Sequence, residues 1–112
     1  MIALSVMALL GPPAMAPEVA ATVRYDTIMC RTVKDGTMDD CQVALVPRGE
    51  GKIAAYVTAA SGKQRILHFR QGVPTFTDAG SRLSFERNRD TLVISVGRAE
   101  VYEVPDRLIA GK

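Results

Sequence analysis

The stretch KIAAYVTAASGKQRILHF, Lys52 to Phe69, decides the fold. In its first seven residues Ile53, Ala55 and Val57 fall on one side, and Lys52, Ala54, Tyr56 and Thr58 fall on the other. Its last six, Gln64 to Phe69, form a second short run, and Ser61-Gly62 stands between the two. A period of two, interrupted by a turn pair, is the pattern of a β-hairpin.

Working outward, the same grammar repeats every eight to twelve residues, so strands are expected at residues 22–30, 41–46, 52–58, 64–69, 73–76, 82–87, 91–96 and 99–104. The links carry their own chemistry. Arg48-Gly49-Glu50-Gly51 offers two glycines for positive φ, and Gly97-Arg98 suits a two-residue type II′ turn. Asn88-Arg89-Asp90 reads as a turn on residue preference. Leu83 and Phe85 alternate with Arg82, Ser84 and Glu86, giving one dry face and one wet face. Leu92-Val93-Ile94 is continuous and predicts a central strand covered on both sides. Pro74 belongs at a strand start or an edge, where its missing N–H does no harm. In the tail, residues 105–109 can form one helical turn opened by Pro105. The fold expected is all-β: an antiparallel meander of six to eight short strands, closed into a small barrel or folded as a curved sheet or sandwich.

Two segments make up the 112 residues. No charged side chain precedes Glu18, although the chain carries 14 Lys+Arg and 12 Asp+Glu. Residues 1–16 read MIALSVMALLGPPAMA, an apolar core, a Gly-Pro-Pro breaker and a small-x-small site. This order predicts a cleaved secretory signal peptide, with residues 17–112 as one β-domain, periplasmic or secreted. The basic residues that usually open such a leader are absent, which leaves either a start upstream of Met1 or a weak signal. In an exported chain the two cysteines, Cys30 and Cys41, read as one disulfide. Closing a loop of about a dozen residues stabilises a fold by about 3 kcal/mol in the chain-entropy model. One His and two Cys cannot supply a zinc site, C-x-x-C is absent, and Asp35, Asp39 and Asp40 lack the ligand spacing of an EF-hand. No metal or cofactor is expected.

The formal charge of +2 is scattered and argues against nucleic acid. His68 is the single imidazole, and no serine stands in a G-x-S-x-G context, so no catalytic residue is expected. Five bases, Arg48, Lys52, Lys63, Arg65 and Arg70, face one acid, Glu50, between residues 48 and 70. Lys52 and Lys63 lie at opposite ends of the hairpin, so these charges are expected to spread over it as a solvated face. The other reading is a weak site for an acidic partner or an envelope polyanion. Tyr56, Tyr102 and His68 are few for a carbohydrate or single-strand platform.

At Asp35-Gly36-Thr37-x-x-Asp40-Cys41, Arg65-x-x-x-Phe69-x-x-Gly72-x-Pro74 and Val101-Tyr102-Glu103-Val104-Pro105-Asp106, the chain resembles a group of short exported proteobacterial proteins of unknown function. The resemblance implies export, one Cys pair and a β-rich fold, and brings no activity. Ala60-Ser61-Gly62-Lys63 is also similar to the Ser-x-Ser-Gly segment of the periplasmic C-type lysozyme inhibitors, small β-barrels that insert a loop into the lysozyme cleft. That family's Trp-x-Lys-Gly motif is replaced here by Phe69-Arg70-Gln71-Gly72, and its Cys near the carboxyl end is missing. The expected function is a non-enzymatic exported domain binding a protein or envelope component, with inhibition of a cell-wall hydrolase as the alternative. Ser61, Lys63 and Arg65 are the candidate partner contacts.

Overall fold

A computed structural model describes residues 22–110. The expected signal segment lies outside the described residues. Eight strands follow one another in the chain: β1 (Arg24–Arg31), β2 (Asp39–Gly49), β3 (Lys52–Thr58), β4 (Gln64–Arg70), β5 (Val73–Thr77), β6 (Leu83–Asn88), β7 (Thr91–Val96) and β8 (Glu100–Pro105). A single helical turn, α1 (Asp106–Ile109), follows with Pro105 at its N-cap, as the tail predicts. Strands neighbouring in sequence pair antiparallel except at one seam, and the spatial order is β5-β4-β3-β2-β1-β8-β7-β6. Because the strand number is even, β1 meets β8 antiparallel, with Cys30 opposite Tyr102. The two edges, β5 and β6, come into contact without forming a ladder. The sheet is therefore a nearly closed barrel.

Two-residue turns set the registers. Glu50 and Gly51 have φ of 54° and 77°, and Gln71 and Gly72 have 54° and 78°. Both pairs thus have the double positive φ of type I′ hairpins, whose twist matches the strands they join. The Gln71 N–H donates to the Gly51 carbonyl at 2.8 Å, tying the two tips together. The Gly97 link is different from the expectation: Val96 pairs with Glu100, so three residues, Gly97 to Ala99, make the turn. Gly97 still takes a positive φ of 64°.

Inward positions on β1 to β4, β7 and β8 fill the barrel. Leu45, Val57, Leu67, Phe69, Ile94 and Tyr102 are among its fully buried side chains. An eight-stranded barrel is just wide enough to be filled this way. Two expectations fail at the seam. Phe85 shares the face of Ile94 by register but is 44% exposed, because β6 is an edge strand with nothing paired on its far side. Val93 is only half-buried, so β7 is covered fully on one face and not on both. Pro74 lies in edge strand β5, as its lost donor requires.

The barrel ends are closed by different chemistry. At one end α1 buries Leu108 and Ile109, and it is held by Arg24 donating to the Leu108 carbonyl at 2.8 Å. Arg87 pairs with Asp106 beside it. Cys30 and Cys41 form the expected disulfide between β1 and β2, with Cα atoms 5.9 Å apart. Both are buried, and they close the loop after β1. Among the described residues no helix is long and apolar enough to cross a membrane.

Candidate functional site

The five bases of residues 48 to 70 divide into two groups with opposite fates. Arg65 faces inward on β4, as Leu67 and Phe69 do, and meets Glu100 at the start of β8. Its Nε and Nη2 reach Oε1 and Oε2 at 2.8 and 2.6 Å, a bidentate pair, and Nη1 reaches Asp78 Oδ1 at 3.1 Å. Tyr102 donates its hydroxyl to Glu100 Oε1 at 2.7 Å, and Lys63 Nζ stands 3.2 Å from Oε2. Asp78 also accepts the Ile66 N–H at 3.0 Å.

Burial by itself would raise the Glu100 carboxyl, but the Arg65, Tyr102 and Lys63 hydrogen bonds outweigh it and hold the group down to about 2. Tyr102 is pushed up by burial and by the adjacent carboxylate. Among the described residues every buried side-chain polar atom has a partner. This cluster is an internal brace in which two bases are matched by two acids.

Two of the three expected partner contacts therefore converge, on Glu100 rather than on solvent. Arg65 has only 15% of its side chain exposed, and Lys63 has 45%. Ser61 sits exposed in the β3–β4 turn, its Oγ accepting the Lys63 N–H at 3.3 Å.

The other three bases come together at the opposite end of the same hairpin. Lys52 and Arg70 face each other directly across the β3–β4 ladder. Arg48 arrives from β2 at the irregularity between Pro47 and Gly49, which re-aims the strand end. Lys52 and Lys63 stand at opposite ends of the hairpin, as expected, and the five charges do not form one cluster; the expectation of an evenly spread face is corrected only in that Arg48, Lys52 and Arg70 gather at one end. Arg48, Lys52 and Arg70 rim an open groove of about 470 Å³ whose floor includes Ile53 and His68. None of the three forms an ion pair with a described residue.

His68 stacks on Phe76 with ring centroids 4.1 Å apart and planes 11° from parallel. Phe76 is 57% exposed. The His68 imidazole is lowered from its ordinary value, first by burial and then by the nearby Arg48 charge, with Asp78 pulling weakly the other way. The groove thus presents three basic side chains around a stacked aromatic pair whose imidazole is held below its ordinary value. Its one hydroxyl, on Thr75, donates to the His68 carbonyl at 3.1 Å. Such a set can hold an anion; it contains no base–nucleophile pair.

Phe76 was not singled out by the sequence, since its role depends on β5 folding back beside His68. Comparisons with protein-family models, curated proteins and solved structures return no match.

Proposed function

We propose that this chain is a non-enzymatic binding domain of the periplasm or the cell exterior, and that it captures an acidic envelope component in the groove of Arg48, Lys52 and Arg70. One observation carries the reading. The protein neutralises Lys63 and Arg65 with Glu100 and Asp78, yet among the described residues no acid pairs with the three other bases around the aromatic pair. Like charges set directly opposite on a ladder, as Lys52 and Arg70 are, are destabilising, so folding does not account for this pair. The Cys30–Cys41 disulfide supports an oxidising compartment. Inhibition of a cell-wall hydrolase through Ser61 and Lys63 has less support, because the Lys63 ammonium is engaged by Glu100.

The test is calorimetric titration at low salt with polygalacturonate, polyphosphate and neutral dextran. Both polyanions should bind and dextran should not, and Arg48→Ser/Lys52→Ser/Arg70→Ser should abolish binding while far-UV circular dichroism stays unchanged. Wild-type protein that ignores both polyanions at micromolar concentration sinks the reading.

A further inference from the structure

The groove is one end of a longer surface. On the outward face of the barrel, residues paired across strands form rows. Lys52 and Arg70 make the first. Val46, Ala54, His68 and Phe76 make the second. Tyr25, Ala44, Tyr56 and Ile66 make the third, and Thr27, Gln42, Thr58 and Gln64 make the fourth. From Lys52 to Thr58 this face runs about 20 Å along β3.

The rows differ in chemistry in a consistent order. The first is cationic and joined by Arg48. The second and third are aromatic and apolar, with Tyr25 77% and Tyr56 38% exposed. The two tyrosines stand two strands apart, about 10 Å, and Ala44 between them leaves the space above the sheet open. The fourth row is neutral and hydrogen-bonding, with Gln64 Nε2 donating to Thr58 Oγ1 at 3.3 Å. Beyond it Met29 is flanked by Asp40 and Glu103, both acidic. By sequence, Tyr56, Tyr102 and His68 count as too few for a carbohydrate platform; Tyr102 is indeed buried in the brace, but Tyr25, left out of that count, stands exposed on the surface.

Resting on the groove reading above, we propose that the occupant is a linear acidic oligosaccharide. Its anionic group lies among Arg48, Lys52 and Arg70, its ring faces lie over Tyr56 and Tyr25, and its hydroxyls reach the Gln42, Thr58 and Gln64 row. Sugar rings present apolar C–H faces that suit the negative face of an aromatic ring. The charge order selects against the main competitors. A single-stranded nucleic acid carries a phosphate at every unit and needs cations along its whole track, whereas here the second, third and fourth rows carry none, and Asp40 and Glu103 follow beyond them. A lipid surface would meet exposed amides and threonines across the fourth row.

The experiment follows the His68 imidazole and tyrosine ring resonances by NMR during titration with free glucuronate, with xylotriose carrying one terminal glucuronate, with a six-residue oligothymidylate and with phosphatidylglycerol vesicles. The uronate-tipped tetrasaccharide should bind at least tenfold tighter than glucuronate. Tyr25→Ala/Tyr56→Ala, both exposed positions, should remove that gain and leave glucuronate affinity unchanged, while the Arg48/Lys52/Arg70 serine variant should lose both.

Equal affinity for glucuronate and the tetrasaccharide, or a gain that survives the tyrosine variant, overturns the extended platform while the groove reading stands. Tighter binding of oligothymidylate or vesicles overturns the glycan assignment. Failure of every acidic probe removes the groove reading and this one together.

Discussion

Replacing Glu100 by Gln should change the stability of the protein and, more tellingly, its pH dependence. Glu100 is 7% exposed, and its carboxylate is held by Arg65, Lys63 and Tyr102. Its folded value of about 2 lies below the ordinary 4.5. At about 1.4 kcal/mol per unit, that drop contributes about 3 kcal/mol. The sign follows from proton binding. Between the two values the unfolded chain holds more protons than the folded one, so the contribution is fully present above about pH 4.5 and is lost as pH falls through about 2. Glu100→Gln should therefore be less stable by about 3 kcal/mol at pH 7, and the gap from wild type should close toward pH 2. With a urea slope of about 1 kcal/mol/M for a domain of this size, the midpoint difference at pH 7 is about 3 M. Urea unfolding followed by far-UV circular dichroism at steps from pH 7 to 2.5 measures it. Asp26, held low by the Thr27 N–H and by Arg107, is common to both proteins and cancels in the difference. Parallel midpoint curves for the two proteins across this range would refute the brace.

Three further outcomes are expected. Reducing the Cys30–Cys41 bond, or replacing both residues by Ala, should cost about 3 kcal/mol; unchanged thermal unfolding with and without reductant would show that the bond does not constrain the chain. Leu45→Ala, at a side chain with 0% exposure, should lose about 2 to 5 kcal/mol in urea titration, and a loss below about 1 kcal/mol would mean that the barrel interior can collapse around the gap. Lys52→Thr should gain a few tenths of a kcal/mol at low salt by relieving the pair with Arg70, and a loss of stability instead would show that Lys52 has a structural partner.

Most of the architecture was legible because it depends on local pattern. The alternation of Ile53, Ala55 and Val57 is read off directly as an inward face, and all three are buried. Pro105 announced α1 through its missing donor. What could not be read depends on where distant strands lie. Phe85 has the spacing of a core residue, and only its position beside the open seam exposes it. Gln71-Gly72 works as a turn through two positive φ values, which Gln does not advertise. For the site, composition located the five bases but not their division. Glu100 is 35 residues from Arg65 in sequence, and their pairing requires the barrel to close through β1 and β8. The groove likewise needs the Pro47–Gly49 irregularity and the fold-back of β5, neither of which has a sequence period.

The closed interior decides where binding can occur. Side chains fill the barrel from the helix plug of Leu108 and Ile109 to the brace of Arg65, Glu100 and Tyr102, so the proposed binding falls to the outer surface. There the two ends of one hairpin perform opposite tasks with the same residue types. At the β3–β4 turn, Lys63 and Arg65 are neutralised and stiffen the fold. At the paired type I′ tips, Arg48, Lys52 and Arg70 have no acid partner among the described residues, and the repulsion of the opposed Lys52 and Arg70 is a standing cost of a few tenths of a kcal/mol. An anion binding there removes that repulsion as it adds its own contacts, so part of its affinity comes from relief of strain already present in the free protein. The His68–Phe76 pair gives the same place an apolar wall, which lowers the local dielectric and strengthens each charge contact. The disulfide and the brace hold the barrel backbone beneath it, so the ordering left to offset on binding is that of the three exposed basic side chains themselves.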